Sequence, residues 1–161
     1  GAVMCGLHMM DSCRMEKGYR HFGHDITDED HVLEAGLGFV VKVDKKPGRF
    51  GAFIGRDAVI AKKATGLEKR LFTFKLCDPQ PLLFHNEPIL RDGEVVGHLT
   101  SGNYAHYLGA AIGMGYVPVH DGETLKDMLA SVYTINVAGR YYEAEVSSKP
   151  FYDPKSERVK D

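Results

Sequence analysis

Apolar positions follow a three-to-four-residue spacing early in this chain and switch to strict alternation after a linker at Thr65–Lys69. The opening stretch Ala2–Met15 admits helix or strand. Leu7, Met10 and Arg14 fit a helical spacing, and Asp11 or Ser12 caps a following turn, so a helix running into Arg14-Met15-Glu16 is favoured. Gly18 and Gly23 predict a bent loop from Lys17 to Asp25. Thr27 with an acid at Asp30 reads as an N-cap and its N3 partner, and negative charge suits that end of a helix. The helix predicted there is short, because Gly36 and Gly38 stop it. Phe39–Val43 is predicted as a strand, ended by a turn over Asp44–Gly48. Arg56–Lys63 reads as a helix with Asp57 in its first turn and lysines in its last, an order that matches the helix dipole.

Beyond the linker the pattern is β. Arg70–Leu76 alternates, and Glu87–Leu90 and Glu94–Thr100 flank Asp92-Gly93, a type I′ hairpin signal. The small-residue run Gly109–Pro118 is predicted to cross from helix to strand. Val132–Val137 and Arg140–Val146 flank Ala138-Gly139 as a second hairpin, with Tyr133, Ile135 and Val137 on one face. The expected class is α+β and β-rich, with a small antiparallel barrel or sandwich from about Lys69 onward. The predicted division is 1–66, 67–154 and a charged tail, 155–161, expected to fray.

At 161 residues, with 43% hydrophobic and 26% charged side chains, the chain is the size of one folded domain or one domain plus part of another. A net charge of −2 gives no electrostatic reason to expect nucleic acid or an anionic membrane as partner. Leu108–Val119 is too short and too rich in Gly and Pro to span a bilayer, and no signal-peptide pattern opens the chain. The chain begins at Gly1 directly on an apolar segment, which reads as a cut end. Cys5, Cys13 and Cys77 form no C-x-x-C pair and read as free, buried thiols of a reducing compartment.

Several chemistries are offered and most have plainer readings. His21, His24 and His31 with Asp25, Asp28 and Asp30 have the residue types of a metal site. Their spacing matches no known ligand pattern, so exposed loop histidines are expected. Asp25, Glu29 and Glu34 are paired carboxylates in principle, but an acidic run at a helix start is usually capping and solvation. The glycines of Gly109–Gly115 lack the Lys-Ser/Thr of a phosphate loop, and close backbone packing explains them better. Arg14 and Glu16 read first as a structural ion pair. A carboxylate in that setting also accepts two parallel N–H bonds from an amidine-like edge, as pterins, guanine and arginine present it.

Arg14-Met-Glu16-Lys-Gly18-Tyr19-Arg20, Gly23-His-Asp25-Ile-Thr27 and Leu33-Glu-Ala-Gly-Leu37-Gly-Phe39 resemble the glycine-cleavage T-protein (aminomethyltransferase) family. So do Phe53-Ile-Gly-Arg56, Gly97–Gly102, Gly113–Val117 and Lys149–Pro154, in order along nearly the whole chain. The resemblance is stronger to the C-terminal folate module of dimethylglycine and sarcosine dehydrogenases. It implies the C-terminal part of a folate-binding module followed by a small barrel. It implies tetrahydrofolate as cofactor, with Glu16 on the pterin edge, Arg14 orienting it and Tyr19 near by. The basic turn Lys42–Arg49 falls where relatives meet the folate tail, and a solvated turn explains it equally.

The family's catalytic Asp and the flavin domain of the dehydrogenases lie in parts not matched by this chain, so no catalytic residue is assigned. The resemblance then implies a piece of an FAD-dependent dehydrogenase whose folate module yields 5,10-methylenetetrahydrofolate, with the rest of that protein as partner. An aminomethyltransferase and a non-catalytic regulatory module of the same fold are the alternatives. The implied compartment is bacterial cytoplasm or mitochondrial matrix.

Overall fold

The computed structural model describes residues 1–44, 52–158 and 160. Its centre is a closed antiparallel barrel of six strands in the order β1-β4-β3-β2-β5-β6. The strands are β1 (Lys69–Leu76), β2 (Pro88–Arg91), β3 (Glu94–Ala105), β4 (Ala110–Pro118), β5 (Tyr133–Val137) and β6 (Arg140–Ser147). Outside it lie α1 (Leu7–Glu16) and α2 (Arg56–Thr65), with α3 (Leu125–Ala130) between β4 and β5.

Alternation explains the barrel. Phe72, Phe74 and Leu76 of β1 point inward with Ile89, Leu99, Tyr133 and Ile135, all buried. Full closure leaves no unpaired strand edge. Both hairpins form as predicted, with Asp92 (φ 52°) and Gly93 (φ 92°) in one turn and Ala138 (φ 50°) and Gly139 (φ 85°) in the other, as a type I′ turn requires. The outward face of β1 is also buried. Leu71 joins Ile112 and Met114 of β4, Ala105 of β3 and Met15 of α1 in a second cluster, which seats α1 against the outside of the barrel.

Four local expectations are corrected. Thr27–Asp30 does not start a helix. Asp30 Oδ2 accepts the Thr27 N–H at 2.8 Å as a cap would, but its other oxygen takes Lys69 Nζ at 2.5 Å and residues 28–36 form successive turns. Phe39–Val43 is not a strand: Gly38–Val40 is a single 3-10 turn with no strand beside it among the described residues, and Phe39 and Val40 are exposed. Lys45–Gly48 of the predicted turn, and most of the basic stretch Lys42–Arg49, lie outside the described residues. Gly109–Pro118 contains no helix; Ala110–Pro118 is one strand paired with β1 and β3. A Cβ on Gly115 would stand 2.5 Å from Ile89 Cδ1 and 2.7 Å from the His98 carbonyl oxygen, so the glycine permits a close approach across the barrel wall. The tail is not frayed as far as Arg158, because Ser156 and Glu157 donate backbone N–H bonds to Asp153. The capped helix α3, closed by Thr124 and Asp127, was not anticipated.

Candidate functional site

The last turn of α1 brings a buried carboxylate to a cleft. Met15 anchors the helix in the apolar seam, and Glu16, one residue on, is 93% withdrawn from solvent (7% exposed) yet lines a cleft of about 910 Å3. Its Oε1 accepts the backbone N–H of Tyr107 at 2.8 Å, and its backbone carbonyl accepts the Tyr152 N–H at 3.2 Å. Oε2 has no hydrogen-bond partner among the described residues. A buried carboxylate with an open oxygen facing a cleft is arranged to accept from a ligand donor.

Three parts of the chain build the cleft: Glu16, Lys17 and Tyr19 at the end of α1, Asn103, His106 and Tyr107 at the β3–β4 turn, and Tyr152, Asp153 and Arg158 after the barrel. Gly18, at φ 72°, turns the chain sharply after the helix and lies against Pro150 of the closing segment. Lys17 Nζ donates to the Asp153 carbonyl at 2.6 Å and to its carboxylate at 2.9 Å. The Lys17 hydrogen bond holds the Asp153 carboxyl below the usual carboxylate range. A carboxyl lowered in the folded state stabilises that state above its ordinary pKa, and the effect is lost as pH falls through the lowered value. Lys17→Met is therefore expected to lower stability by a constant amount from pH 8 to about 5, with the difference from the parent chain closing below about pH 4. Urea unfolding across that range measures it, and a pH-independent difference would exclude the ion pair as its source.

Of the residues singled out in the sequence, Glu16 and Tyr19 line this cleft and Arg14 does not. Arg14 and Glu16 are not ion-paired with each other. Arg14 Nε donates to Asp11 at 3.1 Å, Nη1 to Asp25 at 2.5 Å and to the Tyr19 carbonyl at 3.2 Å, and Nη2 to Ser101 Oγ at 2.9 Å. Its contact with Tyr19 places it behind the cleft wall. Tyr19 itself is 62% exposed at the rim. Arg20, beside it, bridges the carbonyls of Gly18 and Ala35 and fixes the loop.

The acidic run is not a solvated capping surface throughout. Glu29 is exposed, but Asp25 is fully buried and Glu34 nearly so, the latter pairing with Lys62 at 3.0 Å and accepting the Glu68 N–H at 3.1 Å. Burial alone would raise the Glu34 carboxyl, but the hydrogen bonds from Lys62 and Glu68 outweigh it and hold it low. His21 and His24 sit side by side on the surface, rings 4.5 Å apart, and His31 Nδ1 accepts the Leu33 N–H. Among the described residues no three His, Cys, Asp or Glu side chains are grouped to hold a metal ion. The three cysteines are exposed, which corrects their reading as buried thiols; Cys13 touches Met9 Sδ at 3.6 Å. Among the described residues no helix is long and apolar enough to cross a membrane.

Comparison with known proteins bears on both halves. Residues 69–153 match the family described as the glycine cleavage T-protein C-terminal barrel domain, and residues 1–45 match the GCVT N-terminal domain. The chain is 40% identical over 161 residues to 4-methylaminobutanoate oxidase (formaldehyde-forming) of Paenarthrobacter nicotinovorans, covering 99% of this chain and 18% of that protein. It is 38% identical over 152 residues to an aminomethyltransferase of Synechocystis sp., covering 94% of this chain and 38% of that one. It is 37% identical over 164 residues to mitochondrial sarcosine dehydrogenase of Homo sapiens, covering 99% and 17%. The chain thus spans between 17% and 38% of the length of these relatives. In fold it is similar to the crystal structure of glycine cleavage system aminomethyltransferase T from Bartonella henselae, with a TM-score of 0.72 at 24% identity, covering 89% of this chain and 38% of that one.

Proposed function

We propose, because this chain belongs to the glycine cleavage T-protein family, that it forms one wall of a folate-binding module together with the barrel that supports it. Residues 1–66 are the C-terminal part of the folate-binding domain and 67–154 the barrel. The observation that carries this reading is Glu16, buried, fixed on one oxygen by Tyr107 and open on the other toward the cleft. The donor set of a pterin, a ring N–H beside an exocyclic amine, fits that acceptor, because charge-assisted bonds to a fixed carboxylate set both energy and orientation.

When bound, tetrahydrofolate supplies the amine nitrogens that take up a one-carbon unit, giving 5,10-methylenetetrahydrofolate. Within this chain the work is binding and orientation. Glu16 receives the ring edge. Tyr19 covers it at the rim. Arg14 acts as a positioning residue, tying the Tyr19 carbonyl to Asp25 and so holding the wall. No proton-transfer group of this chain is assigned to the reaction.

The similarity to 4-methylaminobutanoate oxidase and sarcosine dehydrogenase over 99% of the chain supports a flavin-linked dehydrogenase of N-methylated amino acids as the whole protein, with FAD held outside these residues. The similarity to aminomethyltransferases supports transfer without a flavin as the second reading. Exposed apolar side chains are most frequent in the sequence before the barrel, including Val3, Leu7, Phe22, Phe39, Val40 and Ile54, and suit contact with further parts of such a protein.

Anaerobic calorimetric titration of (6S)-tetrahydrofolate tests the proposal. Saturable one-to-one binding is expected, weaker for the chain alone than for a longer protein containing it. No saturation up to about millimolar ligand, a binding free energy weaker than about −4 kcal/mol, would remove the folate reading.

A further inference from the structure

A second cleft, of about 220 Å3, is lined by Arg14 and not by Glu16. Four of the chain's eight histidines line it: His8 from α1, His21 and His24 from the loop after α1, and His85 from the segment before β2. The folate reading gives the loop pair, His21 and His24, no work.

The backbone holds that pair in place. The His21 carbonyl accepts the N–H groups of His24, Asp25 and Ile26 at 3.2, 2.9 and 3.3 Å, and the Gly23 N–H donates to the Ile26 carbonyl at 2.7 Å. The His21 N–H donates to the buried Asp25 carboxylate at 2.9 Å, which fastens the turn to the protein. The two rings stand with centroids 4.5 Å apart and planes 38° apart. Two imidazoles that meet one zinc-sized ion at about 2.0–2.1 Å place their ring centres roughly 4.5–5 Å apart, so this spacing suits a shared ion. Among the described residues neither ring makes a hydrogen bond, which leaves the ring nitrogens open to a ligand. Charge at the cleft favours a cation. Arg14 meets two carboxylates, Asp11 at 3.1 Å and Asp25 at 2.5 Å, which leaves one negative charge in excess. Asp11 gives Oδ1 to Arg14 and has Oδ2 uncommitted among the described residues. Asp11 lies three residues after His8, on the same face of α1.

We propose that His21 and His24 bind a divalent transition-metal ion of the zinc class in this second cleft. Two imidazoles beside a carboxylate select zinc, nickel or copper over magnesium and calcium, which prefer all-oxygen sites. Among the described residues no third His, Cys, Asp or Glu is grouped with the pair. Water therefore completes the coordination, and the ion is exchangeable rather than a permanent structural one. The inference does not depend on the folate reading, because the ion is held on the cleft lined by Arg14 and the ring is received by Glu16 on the other.

The test titrates Zn2+ into the full-length protein containing this chain, in competition with a chromophoric zinc indicator. His21→Asn and His24→Asn are each expected to weaken one zinc equivalent by at least tenfold, no less than the loss of an outer-shell partner costs a metal site. His120→Asn, an exposed histidine of the β4–α3 loop, is expected to leave that equivalent unchanged. Excess Mg2+ is expected not to compete. With Cu2+ as probe, electron spin-echo spectroscopy is expected to count two imidazole nitrogens on the ion in the parent and one in either single variant. Neither ring supports the turn by a hydrogen bond, so both variants are expected to keep the parent's midpoint of urea unfolding. Absence of saturable zinc binding below about 1 mM in the parent would overturn the inference. So would a double variant that binds zinc as the parent does, or a two-nitrogen copper signal that survives in it.

Discussion

Asp25→Ala is expected to cost about 3–5 kcal/mol of folding stability, the largest effect of any single change outside the barrel interior. Asp25 is completely withdrawn from solvent. Its Oδ2 accepts from Arg14 Nη1 at 2.5 Å and from the His21 N–H at 2.9 Å, its Oδ1 from Thr100 Oγ1 at 2.6 Å, and its backbone carbonyl from the Tyr116 hydroxyl at 2.9 Å. One residue therefore joins α1, the loop after it, β3 and β4. Alanine would leave the Arg14 guanidinium with only Asp11 as a charged partner and strip the His21 N–H of its acceptor, while Thr100 Oγ1 keeps the Met114 carbonyl at 3.1 Å. Removing one side of such a pair leaves an uncompensated charge, which is why it exceeds the net worth of the pair. Arg14→Met combined with Asp25→Leu removes both charges and is expected to be less destabilising than Asp25→Ala alone. The midpoint of urea unfolding at pH 7 reads all three. A loss below about 1 kcal/mol for Asp25→Ala would mean that Asp25 does not fasten this wall to the barrel.

How much of this was readable beforehand depends on the range of the interaction. The hairpins at Asp92-Gly93 and Ala138-Gly139 were legible because turn geometry and alternation are local, and the β-rich class and the family resemblance followed from segments that stay in order. The region from Thr27 to Val43 was not. The bond from the Thr27 N–H to Asp30 does form, but Lys69, 39 residues away, takes the other oxygen, and a capping signal ends in a turn. The glycines of β4 suggested a change of element because their cause, Ile89 and His98 pressing on Gly115, lies on another strand. Asp25 was read as one of several solvated acids for the same reason. Its partners are at positions 14, 100 and 116, and nothing in the neighbouring residues announces them.

The candidate site divides the same way. Glu16 stands in a recognisable stretch, but Tyr107 is 91 residues from it, and Arg158 lies in a tail expected to be loose. Arg14, adjacent in sequence to the cleft residues, faces away from the cleft. Residues i and i+2 of a helix do not share a face, so an R-x-E spacing at the end of α1 separates the two side chains rather than pairing them.

Glu16→Gln is expected to weaken tetrahydrofolate binding by roughly 100-fold, about 3 kcal/mol, with folding stability within about 1 kcal/mol of the parent. The glutamine carbonyl can replace Oε1 as acceptor for the Tyr107 N–H, so the local structure has no reason to change. The group facing the ligand changes completely. Where Oε2 accepts, an amide NH2 donates, and it meets the donor edge of the pterin. The loss is therefore of the charge-assisted acceptor contact at Oε2, with a donor opposed to a donor in its place. Glu16→Ala tests a different thing, since it orphans the buried Tyr107 N–H and is expected to lower stability by about 1–3 kcal/mol as well as binding. In a full-length dehydrogenase containing this wall, Glu16→Gln is expected to leave the rate of flavin reduction by the amine substrate unchanged, because that step does not involve the folate cleft. Calorimetry, urea unfolding and anaerobic stopped-flow reduction separate the three quantities. Loss of flavin reduction in proportion to folate affinity would show that Glu16 supports the protein as a whole, and unchanged folate affinity would show that its open oxygen is not the ligand's acceptor.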